Sequence, residues 1–181
     1  MNHMNKERTQ EKGNNVNRLV MMGALIAMDV ILTRFLSINT PVTRIGFAFV
    51  ARAITGILFG PLYGAVEGGI ADFIGAVAFP SGPYFPGFTV TAAAIGLIYG
   101  LYLHKKVTLP RIVGAVATSQ LVCSLGLNTL WLSMMTGSSF AALLSTRLLQ
   151  AAVTGAVQIA TIALLQGSFL LIKRQTQAAG R

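Results

Sequence analysis

The chain has 181 residues, of which 54% are hydrophobic and only 10% are charged, and its formal net charge is +9. Soluble domains carry about 25% charged residues, so this composition excludes an ordinary soluble protein and indicates an integral membrane protein. The positive charge is then better explained by membrane topology than by nucleic-acid binding, and a lipid bilayer is the expected surrounding. The one cysteine, Cys123, lies in an apolar run, so an internal disulfide is impossible.

Polar residues fill the start of the chain, and residues 1–16 are predicted to be a disordered cytoplasmic tail rather than a cleaved signal peptide. A helix needs about 20 mostly apolar residues to cross a bilayer. Six segments fit, at roughly 17–36, 45–60, 62–79, 88–104, 111–135 and 140–172. The sequence therefore predicts an all-α membrane protein with six transmembrane helices over 17–173, followed by a short C-terminal tail over 174–181.

Turn signals separate these segments, at Asn39–Pro41, Gly60–Gly64, His104–Arg111 and Thr136–Ser139. An even number of spans places both termini on one side of the membrane. Most basic residues fall on that side: Lys6, Arg8, Lys12, Arg18, Lys105, Lys106, Arg111, Lys173, Arg174 and Arg181. The positive-inside rule makes that side cytoplasmic, so the proline-rich loop from Pro80 to Pro86 faces outward.

Motifs for catalysis or energy conversion are absent from the sequence. It contains no Gly-rich phosphate loop ending in Lys-Ser or Lys-Thr, and no His, Cys or carboxylate cluster with metal-ligand spacing. No serine or cysteine has an obvious basic partner within a span, so an enzyme has little support. The lack of a long internal repeat also weakens an inverted-repeat transporter.

Charged residues within spans are functional candidates, because burying charge in a membrane is costly. They are Asp29, Arg34, Arg52, Glu67, Asp72 and Arg147. For Asp29, pairing with a neighbouring arginine to fix helix register is favoured slightly over ligand contact. Arg52 and Glu67 form a structural pair in one interpretation and belong to a functional site in the other.

Asp72 stands out because it lies in a series of small residues at three- and four-residue steps, ending at Phe79, which forms one helix face. Small residues allow close helix packing, and they also leave room for a ligand. A carboxylate in that space can accept two parallel hydrogen bonds from a pair of N–H groups.

The outer end carries an unusual concentration of positive charge. Arg34, Arg44 and Arg147 are expected there, and a cationic mouth favours an anionic ligand. The alternative is that these arginines extend to the interface without binding anything.

Aromatic residues accompany this charge: Phe35, Phe79, Tyr84, Phe85, Phe88 and Trp131. Some belong to the interfacial belt. Tyr84 and Phe85, however, lie in the loop between prolines, which suggests a stiff lid or stacking wall. Asn128 adds an amide that can donate to and accept from a heterocycle.

Another small-residue surface, formed by Gly23, Ala24 and Ala27, lies in the cytoplasmic half of the first span. Such a surface allows close helix approach. It either packs inside the bundle or docks another membrane subunit.

These residues carry a resemblance to a known family. The segments "RFLSI" from Arg34, "RIGFAFV" from Arg44, "LFGPLYGAVEGGIADFIGAVAFPSGPYFPGFT" from Leu58 and "LNTLWLS" from Leu127 are similar to the folate-type substrate-binding (S) component of energy-coupling factor (ECF) vitamin transporters. The resemblance covers nearly the whole chain after the tail.

The resemblance implies six helices with cytoplasmic termini in a bacterial cytoplasmic membrane, and one vitamin site near the outer face. It implies no cofactor on this chain, because ATP is used by partner subunits: a membrane coupling protein and two cytoplasmic ATPases. In the family, two alanines four residues apart on the first helix meet the coupling protein. Here Gly23 and Ala27 are the nearest match, and Ala24 is followed by Met28 four residues later.

Folate or reduced folates are the ligands that the resemblance implies. The pterin ring presents a donor pair that fits Asp72, and its flat rings can stack on Phe79, Tyr84, Phe85 or Trp131. The two carboxylates of the glutamate tail suit Arg34, Arg44 or Arg147.

Other functions compete with this one. The closest is an S component for pantothenate, riboflavin or thiamine, of which cationic thiamine fits a cationic mouth least well. A stand-alone channel or facilitator and a ligand-free membrane scaffold are further alternatives.

Overall fold

Helices make up nearly all of the described chain. The computed structural model describes residues 2–39, 44–80 and 83–179, with side chains described for 16–37, 46–80, 83–145 and 147–168. The helices are α1 (Asn2–Arg34), α2 (Ala48–Phe59), α3 (Pro61–Ala78), α4 (Pro86–Leu103), α5 (Leu109–Thr118), a π-helical segment (Ser119–Leu127), α6 (Asn128–Thr136) and α7 (Phe140–Ala179). Two short strands, β1 (Ile38–Asn39) and β2 (Arg44–Ile45), pair antiparallel between α1 and α2.

Six helical rods result, because α5, the π-helical segment and α6 follow one another without a break over 109–136. The predicted six-helix membrane fold is confirmed, and the inner helices begin and end within a few residues of the predicted spans. The predicted turn at Asn39–Pro41 lies largely outside the described residues.

Helix α1 is longer than the sequence predicts. It begins at Asn2 and runs without interruption through most of 1–16, where disorder is expected. The reason is local: Gln, Glu, Lys and Arg are good helix formers, and a helix that already exists extends at low cost. Helix α7 likewise continues to Ala179. The division of the chain into two tails and a membrane domain stays a prediction.

Four of the described helical segments are long and apolar enough to cross a membrane: Val16–Arg34, Pro86–Leu103, Leu109–Thr136 and Phe140–Ser168. Helix α2 has only 12 residues, a length of about 18 Å at 1.5 Å per residue. Helix α3 has 18 residues but carries Glu67 and Asp72. The two helices that depart from a simple span, α2 and α3, carry three of the buried or half-buried charged side chains, Arg52, Glu67 and Asp72.

Helix α2 forms the centre of the bundle. It is buried on nearly every side and contributes Phe49, Ala53 and Ile57 to a core that also contains Tyr99 of α4 and Ile162 of α7. A helix that is apolar all round must be enclosed by protein or lipid. Gly60, with φ of 94°, then reverses the chain, and Pro61 begins α3 as the sequence predicts.

Helices α3 and α4 approach each other through their backbones. A Cβ atom at Gly64 would lie 2.5 Å from the carbonyl oxygen of Gly96, and one at Gly68 would lie 2.5 Å from that of Ala92. Real side chains do not tolerate such distances, so glycine is required at both places. Inside a membrane, where apolar surface gains little from leaving lipid, such close contact is a main source of helix association.

Replacing Gly68 with alanine should therefore separate α3 from α4. Forcing a methyl group into a packed interior costs about 1–3 kcal/mol, so the unfolding temperature of the detergent-purified protein should fall. Gly23→Ala is the matched control, because a Cβ there has nothing within 4 Å. Equal unfolding temperatures for the two variants would contradict the packing described.

Candidate functional site

Asp72 is held by a chain of hydroxyl groups that links α3 to α4 and to the proline-rich loop. Thr89 Oγ1 donates to Asp72 Oδ2 at 2.8 Å, and the Tyr84 hydroxyl lies 3.1 Å from Thr89 Oγ1. A threonine hydroxyl has one hydrogen, which goes to Asp72, so Tyr84 donates to Thr89. The half-buried carboxylate of Asp72 is thus oriented through one oxygen and keeps acceptor capacity for a ligand.

Thr89 is a site residue that the sequence analysis misses. It lies in the first turn of α4, in the segment "YFPGFT" that carries part of the resemblance. A threonine near a helix start usually satisfies local backbone groups. The sequence feature that points to Thr89 is its position three residues after Pro86. Pro86 fixes the start of α4, and position 89 then faces α3.

Arg34 lies against the same face of α3. It is the last residue of α1, and a Cβ atom at Gly75 would lie 2.8 Å from Arg34 Nε and 3.3 Å from Nη2. The absence of a side chain at Gly75 therefore lets the guanidinium of Arg34 cross α3 at this level. Since Gly75 follows Asp72 by three residues, a carboxylate and a guanidinium share one end of one helix face.

Phe79 closes the outer end of this face. Its ring meets that of Phe35 edge-on, with ring centres 5.3 Å apart. Phe79 is 46% exposed, so much of its ring remains available for contact. We call Arg34, Asp72, Phe79, Tyr84 and Thr89 the acidic group of the site.

A second set of predicted residues lies between α4 and α6. The ring centre of Phe85 is 5.6 Å from that of Trp131 and 6.2 Å from that of Phe88. Gly87 makes room for this packing, because a Cβ atom there would lie 2.6 Å from Trp131. The indole N–H of Trp131 donates to Thr91 Oγ1 at 3.0 Å, which fixes the ring.

Asn128 begins α6, one helical turn before Trp131. Its Oδ1 atom is buried and has no hydrogen-bond partner in the part of the chain that the structure describes. A buried acceptor without a donor costs about 1–3 kcal/mol, and a ligand N–H reaching it would recover that free energy. We call Phe85, Phe88, Asn128 and Trp131 the aromatic group of the site.

The two groups lie on different faces of α4. Thr89 reaches Asp72 while Gly87 touches Trp131, and positions two apart on a helix differ by about 200°. The adjacent loop residues divide in the same way, because Tyr84 packs edge-on against Phe73 of α3 and Phe85 packs against Trp131. The single stacking wall expected from Tyr84 and Phe85 is therefore two surfaces that flank the start of α4.

Of the three expected outer arginines, Arg34 is the one whose described side chain lies against this site. The backbone of Arg44 pairs with Asn39 in the short strand pair, and its side chain lies outside the described part. Arg147 is half-buried in the first part of α7. A cationic mouth that combines all three remains a prediction.

Arg52 pairs with Asp29 rather than with Glu67. Its Nε donates to Asp29 Oδ2 at 2.8 Å and its Nη2 to Oδ1 at 3.4 Å, and Thr33 Oγ1 also donates to Asp29 at 2.9 Å. The interpretation of Asp29 as a register-fixing partner of an arginine fits this geometry. The Arg52–Glu67 pair does not form because Asp29 occupies the guanidinium.

An apolar cavity of about 540 Å³ lies between the ends of α1 and α2, lined by Met28, Leu32, Phe35, Leu36, Phe47 and Val50. Its volume is in the usual range of small-molecule sites, about 300–1,000 Å³. Ser37 is its one polar lining residue, so it suits an apolar group and gives a carboxylate no charged partner. The sequence pattern gives no indication of this cavity.

The small-residue face of α1 is exposed. Gly23, Ala24 and Ala27 are all accessible, and nothing lies within 4 Å of a Cβ atom placed at Gly23. Within the described residues, the bundle therefore leaves this face uncovered, which disfavours the interpretation that it packs internally.

The described residues contain no group of three or more His, Cys, Asp or Glu side chains able to hold a metal ion. The acidic group is suited to binding a ligand. A carboxylate accepts from N–H donors, a guanidinium binds carboxylates in a bidentate manner, and aromatic faces stack on flat rings.

Comparison with known proteins identifies the relatives of this chain. The family model of the ECF transporter, substrate-specific component, matches residues 17–166. A folate transporter FolT from Clostridium novyi (strain NT) is 41% identical over 139 residues, which is 76% of this chain and 81% of that protein. A folate transporter FolT from Leuconostoc mesenteroides subsp. mesenteroides is 36% identical over 123 residues, or 67% of this chain and 66% of that protein.

A solved structure is also similar. The crystal structure of FolT bound with folic acid matches with a TM-score of 0.73 and 32% identity, covering 80% of this chain and 88% of that chain. The family match spans four of the six rods completely, together with α1 from residue 17 onward and most of α7. This multi-pass membrane protein therefore belongs to the family of ECF transporter substrate-specific components.

Proposed function

We propose that this chain captures folate outside the cell and is the folate-binding subunit of an ATP-driven vitamin importer. The observation that carries the proposal is the placement of Asp72 and Arg34 on one helix face, with Asp72 oriented by Thr89. The names of the FolT relatives support folate as the ligand.

Folate matches the acidic group chemically. Its pterin carries a 2-amino group beside a ring N–H, and this donor pair fits the free acceptor capacity of Asp72. The glutamate tail carries two carboxylates, for which Arg34 is the proposed partner and Arg44 and Arg147 are further candidates. Tyr84, fixed by its hydrogen bond to Thr89, reduces the loop entropy lost on binding.

The orientation follows from charge. Counting the rods places the turn between α4 and α5, with the exposed Lys105 and Lys106, on the same side as the start of α1 and the end of α7. Positive residues mark the cytoplasmic side. The acidic group lies at the opposite end of α1 and α3 and so faces outward. The relatives are bacterial, which supports a bacterial cytoplasmic membrane.

The partners proposed are a membrane coupling protein and two cytoplasmic ATPases, since the sequence has no phosphate loop of its own. The exposed face of Gly23, Ala24 and Ala27 is the proposed contact with the coupling protein, because small residues let another helix approach closely. ATP is then used by the partners.

Isothermal titration of folate into the purified chain in detergent tests the ligand. Tight one-to-one binding without ATPases is expected, with thiamine, riboflavin and pantothenate as controls. Binding of one of these in place of folate would overturn the proposed ligand while leaving the family unchanged. Folate transport into vesicles by this chain alone would contradict the need for a separate motor.

Asp72→Asn should weaken folate binding strongly. Removing the charge from a hydrogen-bonded carboxylate that the bound ligand covers costs about 2–5 kcal/mol, which is about 30-fold or more in Kd. The measurement is the folate Kd by titration calorimetry. Glu67→Gln, the same carboxylate-to-amide change about one and a half helical turns deeper, is the control and should bind as wild type. Equal affinities for Asp72→Asn and wild type would rule out the pterin assignment.

Ala27→Leu should separate binding from coupling. A bulky side chain on the small face would keep the coupling protein away, while the folate Kd stays unchanged because Ala27 is exposed and lies about two helical turns, roughly 10 Å, from Arg34. Co-purification with the coupling protein and ATPases provides the measurement, and Ala160→Leu, on the exposed side of α7, is the control. A complex that forms equally well with Ala27→Leu would exclude this face as the docking surface.

A further inference from the structure

The π-helical segment is a feature of the fold that the proposed function leaves without a role. It lies between α5 and α6 in the rod over 109–136. Its backbone hydrogen bonds join residue i to residue i−5 rather than i−4, a rare pattern that occurs frequently at functional sites. The aromatic group continues directly from it, because Asn128 is the first residue of α6 and Trp131 lies in the first turn of that helix.

The end of this segment passes over one backbone carbonyl. The backbone N–H of Asn128 makes an i−5 hydrogen bond with the carbonyl oxygen of Cys123. The α-helical pattern that begins at Asn128 assigns the next N–H, that of Thr129, to the carbonyl of Leu125. The carbonyl of Ser124 lies between these two acceptors and receives neither N–H. Inside a membrane there is no water to supply the missing donor.

Thr129 supplies this donor from its side chain. Its Oγ1 donates to the backbone oxygen of Ser124 at 3.4 Å, and the side chain is 0% exposed. A threonine within a helix usually donates to the carbonyl three or four residues earlier, as Thr55 of α2 does to Ala51 at 3.0 Å. The i−5 bond of Thr129 instead meets the one carbonyl that the change of hydrogen-bond pattern leaves without a backbone donor.

The residue at which the π-helical segment ends decides the rotation of α6 about its axis. A π-helical turn contains more residues than an α-helical turn, so moving the end of the segment rotates everything that follows. Trp131 depends on this rotation. Its indole N–H donates to Thr91 Oγ1 at 3.0 Å, and its ring packs against Phe85 and over Gly87.

We propose that Thr129 is a positioning residue for the aromatic group. By bonding the carbonyl of Ser124, it fixes where the π-helical segment ends and thereby turns Trp131 and Asn128 toward their places beside α4. The buried Oδ1 of Asn128, which has no partner among the described residues, is then held as an acceptor for a ligand N–H. The inference rests on the proposed function where it concerns folate, and on the contacts of Thr129 and Trp131 where it concerns the rotation of α6.

Tryptophan fluorescence of the folded protein in detergent tests the rotation. The chain has a single tryptophan, so the emission reports on Trp131 alone. Thr129→Val keeps the shape of the side chain and removes the donor, and its emission maximum should shift because the indole leaves Phe85 and Thr91. Thr129→Ala should show the same shift, which ensures that the result does not depend on how valine fits.

Two further variants separate the hydroxyl of Thr129 from a general effect on packing. Thr129→Ser keeps the donor and should have the emission of wild type. Thr55→Val is the matched control, because it removes a threonine hydroxyl that is also 0% exposed but bonds in the regular i−4 pattern. Its emission should match wild type as well.

Titration of folate into the same proteins provides the second measurement. The folate Kd should rise several-fold in Thr129→Val and Thr129→Ala and stay at the wild-type value in Thr129→Ser and Thr55→Val. Unchanged emission in both donor-free variants, a shift that Thr129→Ser shares, or an unchanged folate Kd in a variant with shifted emission would overturn the proposal. A wild-type protein that binds no folate would instead overturn the proposed function, and the emission spectra would still decide the role of Thr129.

Discussion

The close approach of α3 to α4 is the constraint on which the rest of the structure depends. Gly64 and Gly68 bring the backbone of α3 to within contact of the carbonyl groups of α4. At this separation Thr89, one turn farther out, can reach Asp72. A wider gap would leave the carboxylate unoriented and the hydroxyl chain from Tyr84 broken. Packing and ligand recognition therefore use the same helix face at different depths.

Depth also separates two kinds of buried charge. Near the middle of the bundle, Asp29 and Arg52 satisfy each other with several hydrogen bonds. At the outer end, Asp72 has one oxygen engaged by a neutral hydroxyl and retains acceptor capacity. Because a membrane interior provides no water to complete a partial set of hydrogen bonds, the paired Asp29 and Arg52 suit a structural role, and the remaining acceptor capacity of Asp72 suits ligand binding.

Hydropathy and turn residues predict most of this fold, since a bilayer imposes a fixed span length and Gly60 with Pro61 imposes a break. The sequence also identifies Asp72, Arg34 and the aromatic residues as candidates, because each is unusual at its position.

The sequence does not reveal that Tyr84 and Phe85 pack on different sides of α4, because the rotation of α4 about its axis decides which helix each of them meets. The pairing of Arg52 with Asp29 rather than with Glu67 depends on how three helices pack together. Thr89 is neither charged nor bulky, so its position does not look unusual in the sequence. The helical start of α1 differs from expectation because polar composition indicates exposure, not the absence of a helix.

The central claim is that Asp72 and Thr89 act as one unit in binding folate. A double-mutant cycle tests it, with the folate Kd measured by titration calorimetry for wild type, Asp72→Asn, Thr89→Val and the double variant. Coupled neighbours interact by about 0.5–3 kcal/mol, so the double variant should lose clearly less affinity than the two single losses combined. Strictly additive losses, or a Thr89→Val protein that binds folate as tightly as wild type, would contradict the account.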